Sequence, residues 1–239
     1  MLIAIPSKGR AGATTTDKFL GDVGTLFVPE AELDQYKQAA SCPVVCVPSE
    51  VKGITKTRNW ILQNTEDQRV VMVDDDLKVQ GWRKLYEEKT RHKKMTAGQW
   101  AGEFAKFFEV VEDLGWKIWG CKTESSARSG HPYKPFLFRA YVTASCMGIV
   151  NDGTYLFDET FPVKEDYEIG LRHVKEFGGV LAVRYVYWEN SHWDDDGGCK
   201  TYRTQVLERK AIRDLMRLYP GMIKRITRGG SSYSIELNF

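Results

Sequence analysis

The chain has 239 residues, of which 42% are hydrophobic and 28% are charged. This composition is ordinary for a soluble globular protein, and the length is sufficient for a core that needs no disulfide to hold it together. The formal net charge is only +2. Charge alone therefore permits a polyanionic partner but does not argue for one.

Five cysteines are scattered along the chain without a CxxC pair: Cys42, Cys46, Cys121, Cys146 and Cys199. Cys42 and Cys46 invite a zinc interpretation, but no second pair of Cys or His follows at the distance typical of a zinc finger. We expect a reduced, intracellular protein. The opening residues lack the pattern of a signal peptide, and no apolar stretch approaches the roughly 20 residues that span a bilayer. We therefore expect a cytoplasmic protein without a membrane partner.

The first 80 residues alternate short apolar runs with helical patterns. They predict strands at 2–5, 25–28, 42–47 and 70–73, and helices at 29–40 and 54–63. Strands that alternate with helices pair in parallel, and the helices cover the faces of the sheet. The sequence therefore predicts an α/β fold with a mostly parallel central sheet.

Beyond residue 80 the pattern changes. Residues 81–94 are polar and basic, which predicts a surface loop. Further elements are predicted as helices at 96–114, 164–177 and 201–218 and as strands at 116–121, 137–150 and 180–188. The aromatic residues of the 96–114 helix recur at three- and four-residue spacing, so we assign them to the core. Without an internal repeat or linker, a single domain over residues 1–239 is the simplest account.

Three aspartates, Asp74, Asp75 and Asp76, directly follow the apolar run at 70–73. The carboxyl ends of parallel strands form the edge at which open α/β sheets bind ligands. Side chains alternate along an extended backbone, so Asp74 and Asp76 point one way and Asp75 the other. Two adjacent carboxylates are hard oxygen ligands that suit Mg²⁺ or Mn²⁺. The alternative is a solvated acidic turn.

The loop at 6–12 follows the first predicted strand at the same edge. Small residues such as Ser7 let the backbone approach a ligand after Pro6, and Lys8 and Arg10 supply positive charge for phosphate. The glycine spacing fits neither a P-loop nor a dinucleotide-binding fingerprint.

A glycine leads into the helix predicted at 54–63, which carries Arg58 and Asn59 in its first half. Side chains at that position are suited to holding a ribose or a phosphate. Arg58 could equally be a surface salt-bridge partner.

Two more polar segments belong to the second half of the chain. Glu165 and Asp166 begin a predicted helix, where one could act as a general base or both could simply compensate the helix dipole. His192 follows a predicted strand and could complete a metal shell, although a single His is more often structural. Lys200 and Arg203 come after a Gly-Gly loop and could grip a leaving diphosphate.

These elements, taken in order, resemble the GT-A glycosyltransferases. The segments IPSKGRAG, VMVDDDL, VKEDYE and GGCKTYRT more specifically resemble the TET-associated glycosyltransferases of bacteriophages, which are linked to sugar transfer onto hydroxymethylated pyrimidines in phage DNA. The resemblance covers nearly the whole chain. It implies one GT-A-type, Rossmann-like domain with helices on both faces of the sheet, a nucleotide-binding half at 1–80 and an acceptor-binding and catalytic half at 81–239.

The resemblance also implies partners and residue roles. The donor would be a nucleotide sugar, with UDP sugars as first candidates, and the acceptor a 5-hydroxymethylpyrimidine in DNA, in the cytoplasm of the phage host. Mn²⁺ or Mg²⁺ would be held by Asp76, Asp74 and His192. Donor contacts would come from Pro6, Ser7, Lys8, Arg10, Arg58, Asn59, Asp74, Asp75, Lys200 and Arg203. Asp166 would be the base with Glu165 as its neighbour, and DNA would be contacted by Trp82, Arg83, Lys93 and Lys94.

Three alternatives remain open. A transferase acting on a polysaccharide or a small molecule would share the donor site. A nucleotidyltransferase of similar fold would cleave between the α and β phosphates, and it would normally carry a glycine-rich signature that the loop at 6–12 matches only in part. A binding module without activity would tolerate loss of the acids, and the intact Asp triplet, Glu-Asp pair and His argue against it. The basic stretch at 81–94 could also be an ordinary solvated loop.

Overall fold

The computed structural model describes residues 1–83, 92–123, 134–191, 203–229 and 232–238. The strands are β1 (Leu2–Pro6), β2 (Thr25–Pro29), β3 (Val44–Val47), β4 (Arg69–Val73), β5 (Leu77–Arg83), β6 (His92–Lys93), β7 (Ile118–Lys122), β8 (Phe136–Leu137), β9 (Cys146–Val150), β10 (Leu181–Asn190), β11 (Ile223–Gly229) and β12 (Ser232–Leu237). The helices are α1 (Thr16–Leu20), α2 (Leu33–Ala39), α3 (Ile54–Gln63), α4 (Ala97–Asp113), α5 (Glu165–Phe177) and α6 (Gln205–Leu218).

Ten of these strands form one sheet in the order β3-β2-β1-β4-β9-β7-β10-β5-β6, with β8 paired to β10. Strands β1 to β4 are mutually parallel, as the alternation of strands and helices predicts. Strands β5, β8 and β9 run against the other seven. The prediction of a mostly parallel α/β sheet is therefore confirmed, and every antiparallel pair of this sheet includes a strand that follows β4.

Helices cover both faces of the sheet. On β1, Ile3 and Ile5 belong to the core that packs against α1, α2 and α4, whereas Ala4 faces the core shared with α3 and α5. This alternation follows from the two-residue period of a strand. A third apolar cluster joins the outer side of α5 to α6 and to the β11–β12 hairpin. In the described part of the chain, no helix is long and apolar enough to cross a bilayer.

Helix α4 confirms the assignment of its aromatic residues to the core. Thr96 caps the helix: its hydroxyl oxygen accepts a hydrogen bond from the Gln99 amide, and the Thr96 amide donates one to the Gln99 side-chain oxygen. Phe104 stacks on Trp119 of β7, with ring centroids 5.2 Å apart, and Trp100 meets Trp188 of β10 edge to face at 5.1 Å. This packing attaches α4 to the centre of the sheet.

Three sequence expectations need correction. The predicted loop at 81–94 instead contains the end of β5 and strand β6, which pairs with it, because charged side chains are tolerated on an edge strand. Gly81 allows this pairing, since a Cβ there would meet the Lys93 carbonyl oxygen at 2.5 Å. The predicted strand at 137–150 is two strands with an irregular segment between them, and β11–β12 was not predicted. Residues 84–91 lie outside the described part.

Candidate active site

The loop at 6–12 and the three aspartates meet at one edge of the sheet. Strands β1 and β4 are parallel neighbours with Ala4 opposite Met72, so their carboxyl ends lie side by side. Val70 to Val73 are fully buried, so the strand that leads to the three aspartates runs through the core. With this register, the loop at 6–12 and the three aspartates both lie at the edge where parallel sheets bind ligands.

Helix α1 braces the backbone of the acidic turn. The Thr16 hydroxyl donates to the Asp74 carbonyl oxygen at 2.6 Å and accepts from the Leu77 amide at 3.1 Å. The Thr15 amide donates to the Asp75 carbonyl oxygen at 3.0 Å. Sequence reasoning missed α1, whose five residues are too few for a helical period to be recognised.

Asp75 is bound by the protein itself. Its carboxylate is 5% exposed and accepts hydrogen bonds from the Ser7 hydroxyl and the Arg10 guanidinium. Burial raises the pKa of Asp75 to about 6, and the bonds from Ser7 and Arg10 oppose the rise. The contacts of Asp75 fix the loop at 6–12 against the acidic turn.

Tyr36 of α2 completes this arrangement and was not predicted. Its hydroxyl accepts from the Arg10 amide at 3.0 Å and lies 2.7 Å from the Ser7 oxygen. Because the single Ser7 proton is donated to Asp75, the Tyr36 hydroxyl donates to Ser7. Tyr36 is 1% exposed, so the whole chain of hydrogen bonds is shielded from water.

Asp76 is hydrogen-bonded to an asparagine whose side-chain oxygen has no partner among the described residues. Its carboxylate is 8% exposed, accepts from the Asn190 amide nitrogen at 2.8 Å, and lies 3.6 Å from the Arg10 guanidinium. A register shift at the end of β10 falls between Glu189 and Asn190. The Asn190 side-chain oxygen is buried and has no hydrogen-bond partner among the described residues. Asp76 and Asn190 thus present hard oxygen donors of the kind that Mn²⁺ and Mg²⁺ bind.

Arg58 joins the acidic turn to the start of α5. Its guanidinium contacts the Glu165 carboxylate and lies 3.3 Å from an Asp74 carboxylate oxygen. Arg58 is 4% exposed and Glu165 is 8% exposed. Burial raises the pKa of Glu165 to about 7, and the Arg58 charge opposes the rise. The two predicted acidic clusters are therefore brought together, with Arg58 buried between them and not on the surface.

Asn59 holds a loop. Its amide nitrogen donates to the Phe157 carbonyl oxygen at 2.9 Å, and its oxygen accepts from the Phe157 amide at 2.8 Å. Asn59 is 4% exposed. These contacts give the side chain a positioning role beside the site, and its predicted contact with the donor stays a prediction.

Asp166 lies at the surface end of the same cluster. Its carboxylate accepts from the Tyr141 hydroxyl, and Tyr141 stacks on Tyr167 with ring centroids 4.1 Å apart. Lys164 precedes the helix with φ of 65°, and no other non-glycine residue in the described segments has a positive φ. Its ammonium binds Glu208 of α6 at 2.9 Å, and this buried contact holds the unusual turn in place.

The remaining predicted site residues divide by position. Pro6 is buried and Lys8 is exposed, both in the loop beside Asp75. Arg203 pairs with Glu208 at 2.5 Å, near the start of α5. His192 and Lys200 lie outside the described residues. Within the residues that the structure does describe, no three His, Cys, Asp or Glu side chains are grouped as a metal site.

The predicted acceptor-binding residues lie away from the aspartates. Strand β5 starts directly after Asp76 and runs towards the opposite edge of the sheet, where Trp82 pairs with Lys93. Six residues of strand correspond to about 20 Å. Lys93 and Lys94 are exposed, and nothing is described of the side chains of Trp82 and Arg83.

Comparison with solved structures supports the fold. Glucosyl-3-phosphoglycerate synthase from Mycobacterium tuberculosis is 12% identical with a TM-score of 0.52, over 93% of this chain and 83% of that one. The same enzyme with Mn²⁺, UDP and glucosyl-3-phosphoglycerate is 11% identical with a TM-score of 0.50, over 100% and 88%. Such similarity shows the GT-A fold alone.

The chain is also similar to residues 1–349 of S. aureus TarS, at 14% identity and a TM-score of 0.44. The match covers 79% of this chain and 60% of that one, so the chain spans about 60% of the TarS fragment. A comparison with curated protein sequences gave no match. The family model of the TET-associated glycosyltransferases matches residues 1–198. Because this match covers most of the 239 residues, the chain belongs to the TET-associated glycosyltransferase family.

Proposed function

We propose that the protein moves a sugar from a nucleotide-sugar donor to the hydroxyl group of a 5-hydroxymethylpyrimidine in DNA. The observation that carries the proposal is the meeting of two acidic clusters, Asp74 to Asp76 and Glu165 to Asp166, with Arg58 between them. One cluster serves the donor and the other the acceptor. This division follows the predicted donor half at 1–80 and acceptor half at 81–239.

The donor site is assigned to the end of the sheet where β1 and β4 reach their carboxyl ends. Asp76 and Asp74 would hold Mn²⁺ or Mg²⁺, with His192 as a further ligand, and the unpartnered Asn190 oxygen beside Asp76 fits this donor set. When bound, the cation supplies positive charge that stabilises the departing nucleoside diphosphate. A related fold from M. tuberculosis is known with Mn²⁺ and UDP, which favours a UDP sugar as donor.

The cations of the loop at 6–12 are assigned to the donor phosphates. Arg10 is already fixed by Asp75 and Tyr36, and Lys8 is exposed beside it. A guanidinium held in place before binding loses little side-chain entropy when a phosphate arrives. Lys200 and Arg203 are proposed to bind the diphosphate from the opposite side.

Asp166 is assigned as the base that takes the proton of the acceptor hydroxyl in an inverting transfer. Of the two acids at the start of α5, Glu165 forms a buried ion pair with Arg58, whereas Asp166 is partly exposed. The Tyr141 hydroxyl holds the Asp166 carboxylate in one orientation. Glu165 therefore supports the site, and Asp166 meets the acceptor.

The charge distribution supports a DNA acceptor. Residues 203–229 contain eight Lys and Arg residues against two acidic ones, in a chain whose total charge is +2. Four of these basic residues are exposed on α6, namely Arg209, Lys210, Arg213 and Arg217. The start of α6 contacts Lys164 through Glu208, so this basic face begins beside the acceptor acids. We assign it to the DNA phosphates, with Lys93 and Lys94 as the second candidate surface.

The test is mass spectrometry of DNA that contains 5-hydroxymethylcytosine, after incubation with a panel of nucleotide sugars and Mn²⁺. We expect the mass of one sugar residue to be added with at least one donor, and none to be added to unmodified cytosine DNA. Asp166→Asn should lose transfer while its circular dichroism spectrum stays unchanged. Sugar transfer to a saccharide or a small molecule, with none to DNA, would overturn the DNA acceptor and keep the donor site.

A further inference from the structure

The stacked tyrosines beside Asp166 have no role in the donor site described above. Tyr141 belongs to the segment between β8 and β9, and Tyr167 to the first turn of α5. Their ring planes differ by 18° and their centroids are 4.1 Å apart, which is a parallel stack. Tyr141 nevertheless remains 39% exposed. A partly exposed aromatic ring that is already stacked on a neighbour is suited to receive a second planar group.

The segment that carries Tyr141 is anchored from below. Val142 and Ala144 are each 2% exposed and belong to the core under α3 and α5. Val142 sits directly on Gly120 of β7, where an added Cβ would come within 2.7 Å of it. Val142 points into this core, whereas its neighbour Tyr141 lies outside it and stays partly exposed. The exposure of Tyr141 therefore follows from how the segment is held.

Three contacts fix the orientation of the pair. The Tyr141 hydroxyl donates to Asp166, the Tyr141 ring lies on Tyr167, and the Lys164 ammonium lies over the Tyr167 ring at 5.2 Å. Lys164 is itself bound to Glu208. An exposed aromatic side chain that is held this way loses little conformational entropy when a ligand binds.

We propose that Tyr141 and Tyr167 form an acceptor subsite, in which the exposed face of Tyr141 stacks on the pyrimidine ring that carries the hydroxymethyl group. Stacking on Tyr141 would set the pyrimidine ring next to the Asp166 carboxylate, which accepts a hydrogen bond from the Tyr141 hydroxyl. The same carboxylate would face the hydroxyl group of the acceptor. A base within a duplex has both faces covered, so the subsite requires the target nucleotide to leave the stack. This inference rests on the proposed function and names the group that the acceptor side recognises.

Two substitutions at Tyr141 separate stacking from hydrogen bonding. Tyr141→Leu removes the aromatic face, and since stacking of a base on an aromatic ring is worth about tenfold or more in affinity, the KM for hydroxymethylated DNA should rise by about that factor. Tyr141→Phe keeps the face and removes the hydroxyl, so kcat should fall while the KM for DNA stays near the wild-type value. Phe138→Leu is the matched control, because Phe138 is 52% exposed in the same segment and packs on Trp116 instead.

The readouts are steady-state transfer to a hydroxymethylcytosine oligonucleotide and, independently, calorimetric binding of UDP with Mn²⁺. An unchanged KM in Tyr141→Leu, with DNA transfer intact, would overturn the subsite while leaving the proposed function standing. If the wild-type protein transfers no sugar to DNA although it binds UDP, the proposed function is instead wrong. Equal effects of Tyr141→Leu and Phe138→Leu on the KM for DNA would show a general disturbance of the segment and also overturn the subsite.

Discussion

Removal of the Arg58 charge should destabilise the protein in a way that depends on pH. Arg58 and Glu165 are 4% and 8% exposed, and their contact joins α3 to the start of α5. Loss of one partner from a buried ion pair leaves the other charge uncompensated, so Arg58→Met should lower the free energy of unfolding by about 3–5 kcal/mol when Glu165 is charged. Protonation of Glu165 removes most of this cost.

The sign of the pH dependence follows from the Glu165 carboxyl. Its pKa in the folded protein is about 7, above the ordinary value of 4.5, so the folded chain binds more protons between these values. The free energy of unfolding therefore falls by about 1.4 kcal/mol per pH unit across this window as pH rises. In wild type the fall ends near pH 7. In Arg58→Met the opposing charge is gone, the pKa rises further, and the fall continues to higher pH.

Urea unfolding at about pH 6, 7 and 8, followed by circular dichroism, measures this divergence. The matched control is Arg69→Met, because Arg69 pairs with Glu112 at the surface and both side chains are about one-third exposed. Such a pair contributes about 0–1 kcal/mol. Arg58→Met combined with Glu165→Gln should lose the pH dependence. The reasoning is refuted if Arg58→Met costs no more than Arg69→Met, or if its deficit stays constant between pH 6 and pH 8.

Three further outcomes are expected. Asn190→Leu should weaken Mn²⁺ binding in the presence of UDP by about 10- to 100-fold in calorimetry, and an unchanged affinity would remove Asn190 from the metal site. Tyr36→Phe should lower the free energy of unfolding by about 1–3 kcal/mol in urea, because Ser7 loses its donor, and no loss would contradict the buried hydrogen-bond chain. Arg213→Glu with Arg217→Glu should weaken duplex binding and reduce the slope of log affinity against log salt by about 2, whereas an unchanged slope would move the DNA surface elsewhere.

The parts of the site that follow strand ends could be predicted from the sequence. An apolar run that stops at three aspartates predicts both that the strand is buried and where it ends. Because the carboxyl ends of parallel strands lie at the same edge of a sheet, the loop at 6–12 is then expected next to the aspartates. The helix over 54–63 and the one over 164–177 were predicted within a residue of α3 and α5. Correct helix bounds place Arg58 and Glu165 in their helices, and the contacts of Arg58 with Glu165 and Asp74 connect these helices to the acidic turn.

The parts that depend on packing could not be predicted. The hydroxyl of Tyr36 reaches Ser7 only because α2 packs against β2 and β3, and nothing near Tyr36 in the sequence predicts that contact. Asn190 reaches Asp76 where the β10 register shifts, and a shift of one residue exchanges the two faces of a strand. Tyr141 was placed inside a continuous predicted strand, because the apolar pattern at 137–150 does not show the break before β9.

Metal-dependent binding of UDP tests the central claim, that the acids at the end of β4 hold a divalent cation that binds the diphosphate of a nucleotide. We would titrate UDP into wild type, Asp76→Ala and Asp152→Ala, with and without Mn²⁺, by calorimetry. Asp152 is the control because it is an exposed acid that pairs with Lys117, beyond the far end of β9. We predict Mn²⁺-dependent binding in wild type and Asp152→Ala, and its loss in a folded Asp76→Ala. Equal affinity and equal metal dependence in all three proteins would contradict the account.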